Sequence, residues 1–140
     1  MVTAKAIMKT NVITVAPEED IHEAIRTMVL NDITGLPVVN QDGSLAGIIT
    51  EKDVLNLLCQ IEDRPAKVED FMTRDVVCFD GEDPVADIAE SFRDNHFRRV
   101  PILENGRLVG IVSRRDIIRH MRATQCEDQI LEDIAVEILY

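Results

Sequence analysis

Apolar residues along the chain show first the pattern of a strand and then the spacing of a helix, and this succession occurs twice. β-branched runs at residues 12–15 and 76–79 are typical of short strands. Each run precedes apolar residues spaced at i, i+3, i+4 and i+7, a pattern that predicts an amphipathic helix. These residues are Ile21, Ala24, Ile25 and Met28 in the first half, and Val85, Ile88, Ala89 and Phe92 in the second.

A hairpin is predicted next in each half, around Asp42-Gly43 and around Asn105-Gly106. Such dipeptides favour tight turns because both central positions accept positive φ. The flanking strands are expected at 37–39 with 45–49, and at 101–103 with 108–112. A second helix should begin after Thr50 and after Ser113. The order strand, helix, strand, strand, helix therefore occurs twice.

An alignment of the two halves indicates an internal duplication. Met8 matches Met72 and Pro37 matches Pro101 at an offset of 64, and one deletion at the turn brings the offset to 63. We therefore expect a first repeat at 1–62, a second at 63–123 and an acidic helical tail at 124–140. An apolar stripe in this tail predicts a helix packed on its own domain or on a partner. The stripe consists of Ile130, Leu131, Ile134, Ile138 and Leu139.

Charge limits the class of partner. A formal net charge of -11 argues against a general nucleic-acid binder, because phosphate-backbone affinity comes from clustered Lys and Arg. Eight of the fifteen Lys and Arg nevertheless lie between Arg93 and Arg122, where they could hold a small anion.

The location of the protein is predicted from three features of the sequence. It shows no secretory signal and no apolar run of about 18 residues, and its three cysteines form no C-x-x-C pattern. We therefore expect a cytoplasmic protein that has no membrane partner.

Each half contains one copy of a seven-residue motif, in which glycine and an aliphatic residue are followed by one variable residue, Ser or Thr, two variable residues and Asp. A helix that begins at the hydroxyl residue directs free backbone N–H groups outward. The hydroxyl could bind a phosphate or sugar oxygen, the carboxylate could accept from a ribose, and the glycine could let a flat ring approach. The same residues also form a helix capping box, so both interpretations stay open. The two copies are Gly47, Ile48, Thr50, Asp53 and Gly110, Ile111, Ser113, Asp116.

Arginines distinguish the second half from the first. Arg98-Arg99 precede its hairpin and Arg114-Arg115 follow Ser113, where the first half has Thr34-Gly35 and Glu51-Lys52. The forked donors of arginine suit phosphate, although surface ion pairs with the many acids are the alternative. A phosphate-bearing ligand should prefer the cleft that Arg98, Arg99 and Arg115 reach.

In these residues the sequence resembles a tandem pair of CBS (cystathionine-β-synthase) domains, also termed a Bateman module, over about residues 6–122. Met8 and Met72, the Pro37 and Pro101 segments and both Gly-to-Asp motifs carry the resemblance. It implies an α/β (α+β) fold in which two β-α-β-β-α repeats pack about a pseudo-twofold axis and leave two clefts. It also implies a homodimer and an unidentified protein target.

The resemblance further implies a regulatory module that binds AMP, ADP, ATP or S-adenosylmethionine and requires no cofactor. One cleft would place Ser113 and Asp116 at the ribose, Ile13 and Ile111 at the adenine, and Thr34, Arg98 and Arg99 at the phosphates. The other would use Thr50, Asp53, Ile48 and Val77. The clefts should therefore differ in the charge of the ligand that they accept.

Catalysis is not expected. His22, His96 and His120 do not fall at metal-ligand spacing with any cysteine or acid, and no nucleophile is paired with a base. We therefore expect neither catalytic nor metal-binding residues. The alternative to a ligand sensor is a structural or dimerisation module that docks on a partner protein without a ligand.

Overall fold

A computed structural model describes residues 1–59 and 66–124 of the chain. The first half contains α1 (Ala4–Ile7), α2 (Ile21–Asn31), β1 (Gly35–Val39), β2 (Leu45–Thr50) and α3 (Glu51–Leu58). The second half contains a 3-10 turn (Val68–Asp70), β3 (Phe79–Asp80), α4 (Val85–Asp94), β4 (Arg99–Glu104), β5 (Arg107–Ser113) and α5 (114–124). The predicted helices and hairpins are confirmed. The predicted tail after residue 124 and Cys126 lie outside the described residues.

The first strand of each repeat is shorter than the sequence predicts. Val15 forms a single parallel bridge to Val38, and Phe79 makes the equivalent pair with Ile102. Extending the first ladder by two residues would require a backbone N–H from Pro37, which has none. Pro101 blocks the second ladder in the same way. The predicted strands at 12–14 and 76–78 are therefore wrong, and these residues run without ladder partners.

The two hairpin turns differ in their backbone conformation. Asn105 and Gly106 both have positive φ, at 53° and 76°, as expected for the tight two-residue turn. In the turn of the first hairpin only Gly43 has positive φ, at 89°. That turn is one residue longer, and its Asp42 carboxylate accepts the backbone N–H of Ser44 at 3.0 Å. The expectation of two positive φ values is thus wrong at the first turn.

Two aliphatic cores form, and each is completed by a segment from the other half of the chain. Val68, Phe71 and Met72 pack with the buried residues of α2, β1 and β2. Ala4 belongs to the core of α4, β4 and β5. Ala4 and Val68 are equivalent at the offset of 64, so the exchange is reciprocal and agrees with a pseudo-twofold axis between the repeats. The residues that precede the first strand of each repeat therefore pack in the core of the opposite repeat, and they also reach the cleft of that repeat, which is described below.

Backbone hydrogen bonds fix the two crossing segments at equivalent places. Lys9 exchanges both of its backbone hydrogen bonds with Ile111, at 2.9 and 3.0 Å. Thr73 does the same with Ile48, at 2.8 and 2.9 Å. Each crossing segment therefore runs antiparallel beside the last strand of the opposite repeat, two residues before the strand reaches its helix.

The motif glycines make room for these crossing segments. A Cβ atom on Gly47 would lie 2.5 Å from the carbonyl oxygen of Thr73, and one on Gly110 would lie 2.5 Å from the Met8 sulfur. Both glycines are buried and lie outside the two clefts described below. The expectation that they admit the ring of a ligand is therefore replaced by a close approach of the chain itself.

Candidate ligand-binding clefts

The first strand-to-helix junction is a complete capping box. The Asp53 carboxylate accepts the backbone N–H of Thr50 at 2.9 Å, and the Thr50 hydroxyl accepts the N–H of Asp53 at 3.3 Å. The second carboxylate oxygen accepts the Thr73 hydroxyl at 3.0 Å. Asp53 therefore joins the start of α3 to the crossing segment through a neutral partner.

The second junction has the same cap but charged partners. Asp116 Oδ2 accepts the backbone N–H of Ser113 at 2.8 Å, and Ser113 Oγ accepts the N–H of Asp116 at 3.2 Å. Asp116 Oδ1 lies 3.5 Å from Lys9 Nζ and 3.4 Å from Arg119 Nη1. Asp116 is 8% exposed, the one buried charged residue in the described part of the chain. Capping is thus confirmed for both motifs, and it does not exclude a ligand because each carboxylate keeps acceptor capacity.

A cavity of about 600 Å³ opens beside the second junction. We name it the Asp116 cleft. Of the predicted site residues, its lining includes Ile13, Thr34, Arg98, Arg99, Ile111, Ser113, Arg115 and Asp116. The structure thus brings together every residue that the resemblance assigned to this cleft.

A second cavity, of about 590 Å³, opens beside the first junction, and we name it the Thr50 cleft. Of the predicted site residues, its lining includes Thr34, Ile48, Thr50, Val77, Arg98 and Arg99. Asp53 lines neither cavity, because its carboxylate faces Thr50 and Thr73. The Thr50 cleft instead presents Leu55, Val76 and Phe97 as further apolar surface.

The two cavities are alike in size and differ in charge. Six cationic side chains and two carboxylates line the Asp116 cleft: Lys9, Arg98, Arg99, Arg114, Arg115 and Arg119, with Asp32 and Asp116. The Thr50 cleft has three cations and two carboxylates: Lys52, Arg98 and Arg99, with Glu51 and Asp75. The electrostatic potential for an anion is therefore more favourable in the Asp116 cleft.

Arg99 lies at the boundary of both clefts. Its guanidinium donates to the carbonyl oxygen of Gly35 at 3.0 Å and to the Thr34 hydroxyl. Burial lowers the pKa of Arg99, and the positive charge of Arg98 lowers it further, whereas the carboxylate of Glu51 raises it. An anion in either cleft would relieve this charge crowding.

The four arginines that distinguish the second half, Arg98, Arg99, Arg114 and Arg115, differ in their contacts. Arg114 donates to the carbonyl oxygens of Asn95 at 2.8 Å and of Phe97 at 3.1 Å, and its guanidinium lies 5.9 Å from the centre of the Phe92 ring. These contacts fasten the start of α5 to the end of α4. Arg98, Arg114 and Arg115 are all exposed and line the cleft, and Arg114 differs in that backbone carbonyls engage its guanidinium.

Lys9 and Arg119 are cleft residues that the sequence analysis did not identify. Arg119 follows Asp116 by one helical turn, so a helix beginning at Ser113 could have indicated it. Lys9 aligns with Thr73 at the offset of 64, yet nothing local predicts that residue 9 reaches the opposite repeat. Only the crossing of the segments places it there.

The described residues were compared with what a metal site and a membrane-spanning helix require. Within 1–59 and 66–124, no three His, Cys, Asp or Glu side chains form a group that could hold a metal ion. His96 lies in the lining of the Thr50 cleft. No helix of this described part has the length and apolar character needed to cross a bilayer.

Comparisons with known proteins point to one family. The CBS domain model matches the chain twice, at residues 4–60 and 68–123. An uncharacterised protein of Methanocaldococcus jannaschii is 38% identical over 115 residues, a match that covers 82% of this chain and 41% of that protein. The chain thus spans less than half the length of this relative.

Solved structures show the same fold. A CBS domain pair in complex with 5′-methylthioadenosine and S-adenosyl-L-methionine superposes with a TM-score of 0.76 at 30% identity, covering 89% of this chain and 98% of the other. A second protein, CBSX2 in complex with AMP, superposes with a TM-score of 0.80 at 24% identity, covering 89% and 99%. The second likeness concerns the fold alone.

Proposed function

The chain belongs to the CBS domain family, as a tandem pair, and we propose that it is a regulatory module whose clefts bind an adenosine-containing ligand. The candidates are AMP, ADP, ATP and S-adenosylmethionine. The observation that carries the proposal is the Asp116 cleft, where a buried carboxylate, a helix start and exposed arginines converge on one cavity. Its volume of about 600 Å³ is that of a small-molecule site.

Each part of a nucleotide finds a suitable surface in the Asp116 cleft. Ile13 and Ile111 offer apolar surface to the adenine ring, and Ile13 is 41% exposed before any ligand covers it. Asp116 can accept hydrogen bonds from ribose hydroxyls. Arg98 and Arg115 are exposed at this cleft and supply forked donors for the phosphates.

The Thr50 cleft is proposed as a second site for a less anionic adenosine compound. Ile48 and Val77 offer the apolar surface, and Thr50 supplies a hydroxyl at the start of α3. Glu51 and Asp75 oppose an added negative charge more strongly than the lining of the Asp116 cleft does. The relative solved with 5′-methylthioadenosine and S-adenosyl-L-methionine supports the use of such ligands by a CBS pair.

We propose that the module itself is not an enzyme and acts in the cytoplasm by transmitting ligand binding to a protein target. The clefts combine a helix cap, arginines and aliphatic surface, a lining that suits the binding of a small charged ligand. Cys59 and Cys78 are free, exposed thiols, which suit a reducing compartment.

A homodimer is proposed as well, and it is the basis of the alternative function. Leu58 is 84% exposed and Met121, at the equivalent place in the second repeat, is 63% exposed. Leu55 and Ile118 form a second equivalent pair, at 59% and 61%. A repeated apolar surface of this kind suits a self-complementary interface between two copies. A module that only dimerises would use this surface and leave the clefts empty.

A thermal-shift screen of the four candidate ligands tests the proposed function. A ligand at 100 times its Kd should stabilise the fold by about 2.7 kcal/mol. For a domain of this size the melting temperature should rise by about 8 °C. No shift with any of the four, in protein that sediments as a folded dimer, would favour the ligand-free dimerisation module instead.

A further inference from the structure

Lys9 gives the Asp116 cleft a chemical feature that the Thr50 cleft lacks. Its backbone occupies the same place on β5 that Thr73 occupies on β2. The side chains differ: Thr73 presents a hydroxyl to Asp53, whereas Lys9 presents an ammonium group to Asp116. The difference is therefore one of charge at a fixed position, without a change of backbone.

Lys9 and Arg119 both approach the same oxygen of Asp116. Their side chains are 60% and 64% exposed, against 7% for Asp116. A lysine ammonium has three donors and an arginine guanidinium has five, so one contact to Asp116 leaves most of their donors for another acceptor. Both side chains line the cleft. The cluster carries two positive charges and one negative charge, an excess that suits an anion.

On the basis of the proposed function, we infer that Lys9 and Arg119 form a second phosphate position in the Asp116 cleft, for a phosphate on the 2′ or 3′ oxygen of the ribose. A ribose held by Asp116 places its hydroxyls beside the two cations that contact the same carboxylate. Arg98 and Arg115 remain for the 5′ phosphate. The ligand class is therefore an adenosine bisphosphate whose phosphates lie on both sides of the ribose.

The Thr50 cleft does not repeat this position. Thr73 replaces Lys9, and the residue equivalent to Arg119 is Asn56. The hydroxyl of Thr73 already donates to Asp53 at 3.0 Å and adds no charge. Preference for a ribose phosphate should consequently belong to the Asp116 cleft alone.

Calorimetric titration with matched ligands tests the inference. The ligands are 5′-AMP, ADP, adenosine 2′,5′-bisphosphate and adenosine 3′,5′-bisphosphate, and ADP controls for the added charge. At least one bisphosphate should bind wild-type protein about tenfold tighter than ADP, since hydrogen bonds to charged groups are the strong ones. In Lys9→Thr, which copies the residue of the other repeat, this affinity ratio should fall to about one.

Lys5→Thr is the matched control, because Lys5 precedes the same crossing segment, is 59% exposed and lines neither cleft. It should keep the ratio. If Lys9 only stabilises the fold, Lys9→Thr will weaken all four ligands equally, and that result overturns the inference. AMP binding without a bisphosphate preference refutes the second phosphate position and leaves the proposed function standing. Failure of these four ligands to bind, together with failure of ATP and S-adenosylmethionine, refutes both.

Discussion

The two clefts have the same backbone plan and different chemistry. Each is built at a capped strand-to-helix junction, beside a crossing segment from the other repeat, and encloses about 600 or 590 Å³. Charge separates them, since Lys9, Arg114 and Arg119 stand where the other repeat has Thr73, Glu51 and Asn56. The duplication thus preserved the residues that fold the junction, and the substitutions fall where they alter the ligand surface.

The pseudo-twofold axis explains why one repeat holds the shared arginine. Gly35 and Arg99 occupy equivalent positions, and the Arg99 guanidinium donates to the Gly35 carbonyl oxygen. A Cβ atom at Gly35 would already lie 3.2 Å from Arg99 Nη1. Two arginines facing each other here would compete for the same space and repel each other. Asymmetry at this pair therefore relieves a conflict that the duplication creates.

Removal of the arginines of the Asp116 cleft should give the largest contrast. The double variant Arg98→Ala, Arg115→Ala should weaken ADP binding about 100-fold, because each charge-assisted contact contributes roughly 1.5 kcal/mol. The control Arg98→Ala, Lys52→Ala removes the same shared arginine together with the residue equivalent to Arg115, and it should weaken ADP binding by only about tenfold. Calorimetric titration measures both. Equal losses in the two variants would break the assignment of phosphates to one cleft.

The glycines under the crossing segments offer a second contrast. Gly47→Ala places a methyl group 2.5 Å from a backbone carbonyl, whereas Gly110→Ala meets the flexible end of Met8 first. We expect a loss of unfolding free energy of roughly 3 kcal/mol for Gly47→Ala and about 1 kcal/mol for Gly110→Ala. Urea denaturation monitored by circular dichroism measures the difference. Losses of similar size would show that the Met8 segment is as rigid as the Thr73 segment.

The sequence was sufficient to predict the repeated elements, because the apolar periods and turn residues are local signals. The predictions from sequence that are wrong have physical causes as well. The strands at 12–15 and 76–79 were predicted too long, since the missing N–H of Pro37 and Pro101 acts through a partner strand. The role of Gly47 and Gly110 was misjudged because a neighbouring segment, remote along the chain, occupies the space that they leave.

The cleft was predicted in part. Ser113, Asp116 and the arginines could be recognised from the motif and the family resemblance. Lys9 could not, because its place depends on a segment that crosses to the other repeat. Nor does the sequence indicate that Arg114, which lines the cleft beside Arg115, donates to three backbone carbonyls. Those contacts depend on where the end of α4 and the chain after it lie.

The most direct test of cleft preference compares the two motif aspartates. Calorimetric titration with AMP should be run on wild type, Asp116→Ala and Asp53→Ala, after circular dichroism confirms that each is folded. Each substitution removes a helix cap at a cost of about 1 kcal/mol, so the loss of a cap is matched between them. Asp116→Ala should weaken AMP binding by about 5- to 150-fold while Asp53→Ala keeps it within about threefold of wild type, since a buried polar contact contributes roughly 1–3 kcal/mol. Retained binding in Asp116→Ala together with loss in Asp53→Ala would contradict the assignment of the nucleotide to the Asp116 cleft.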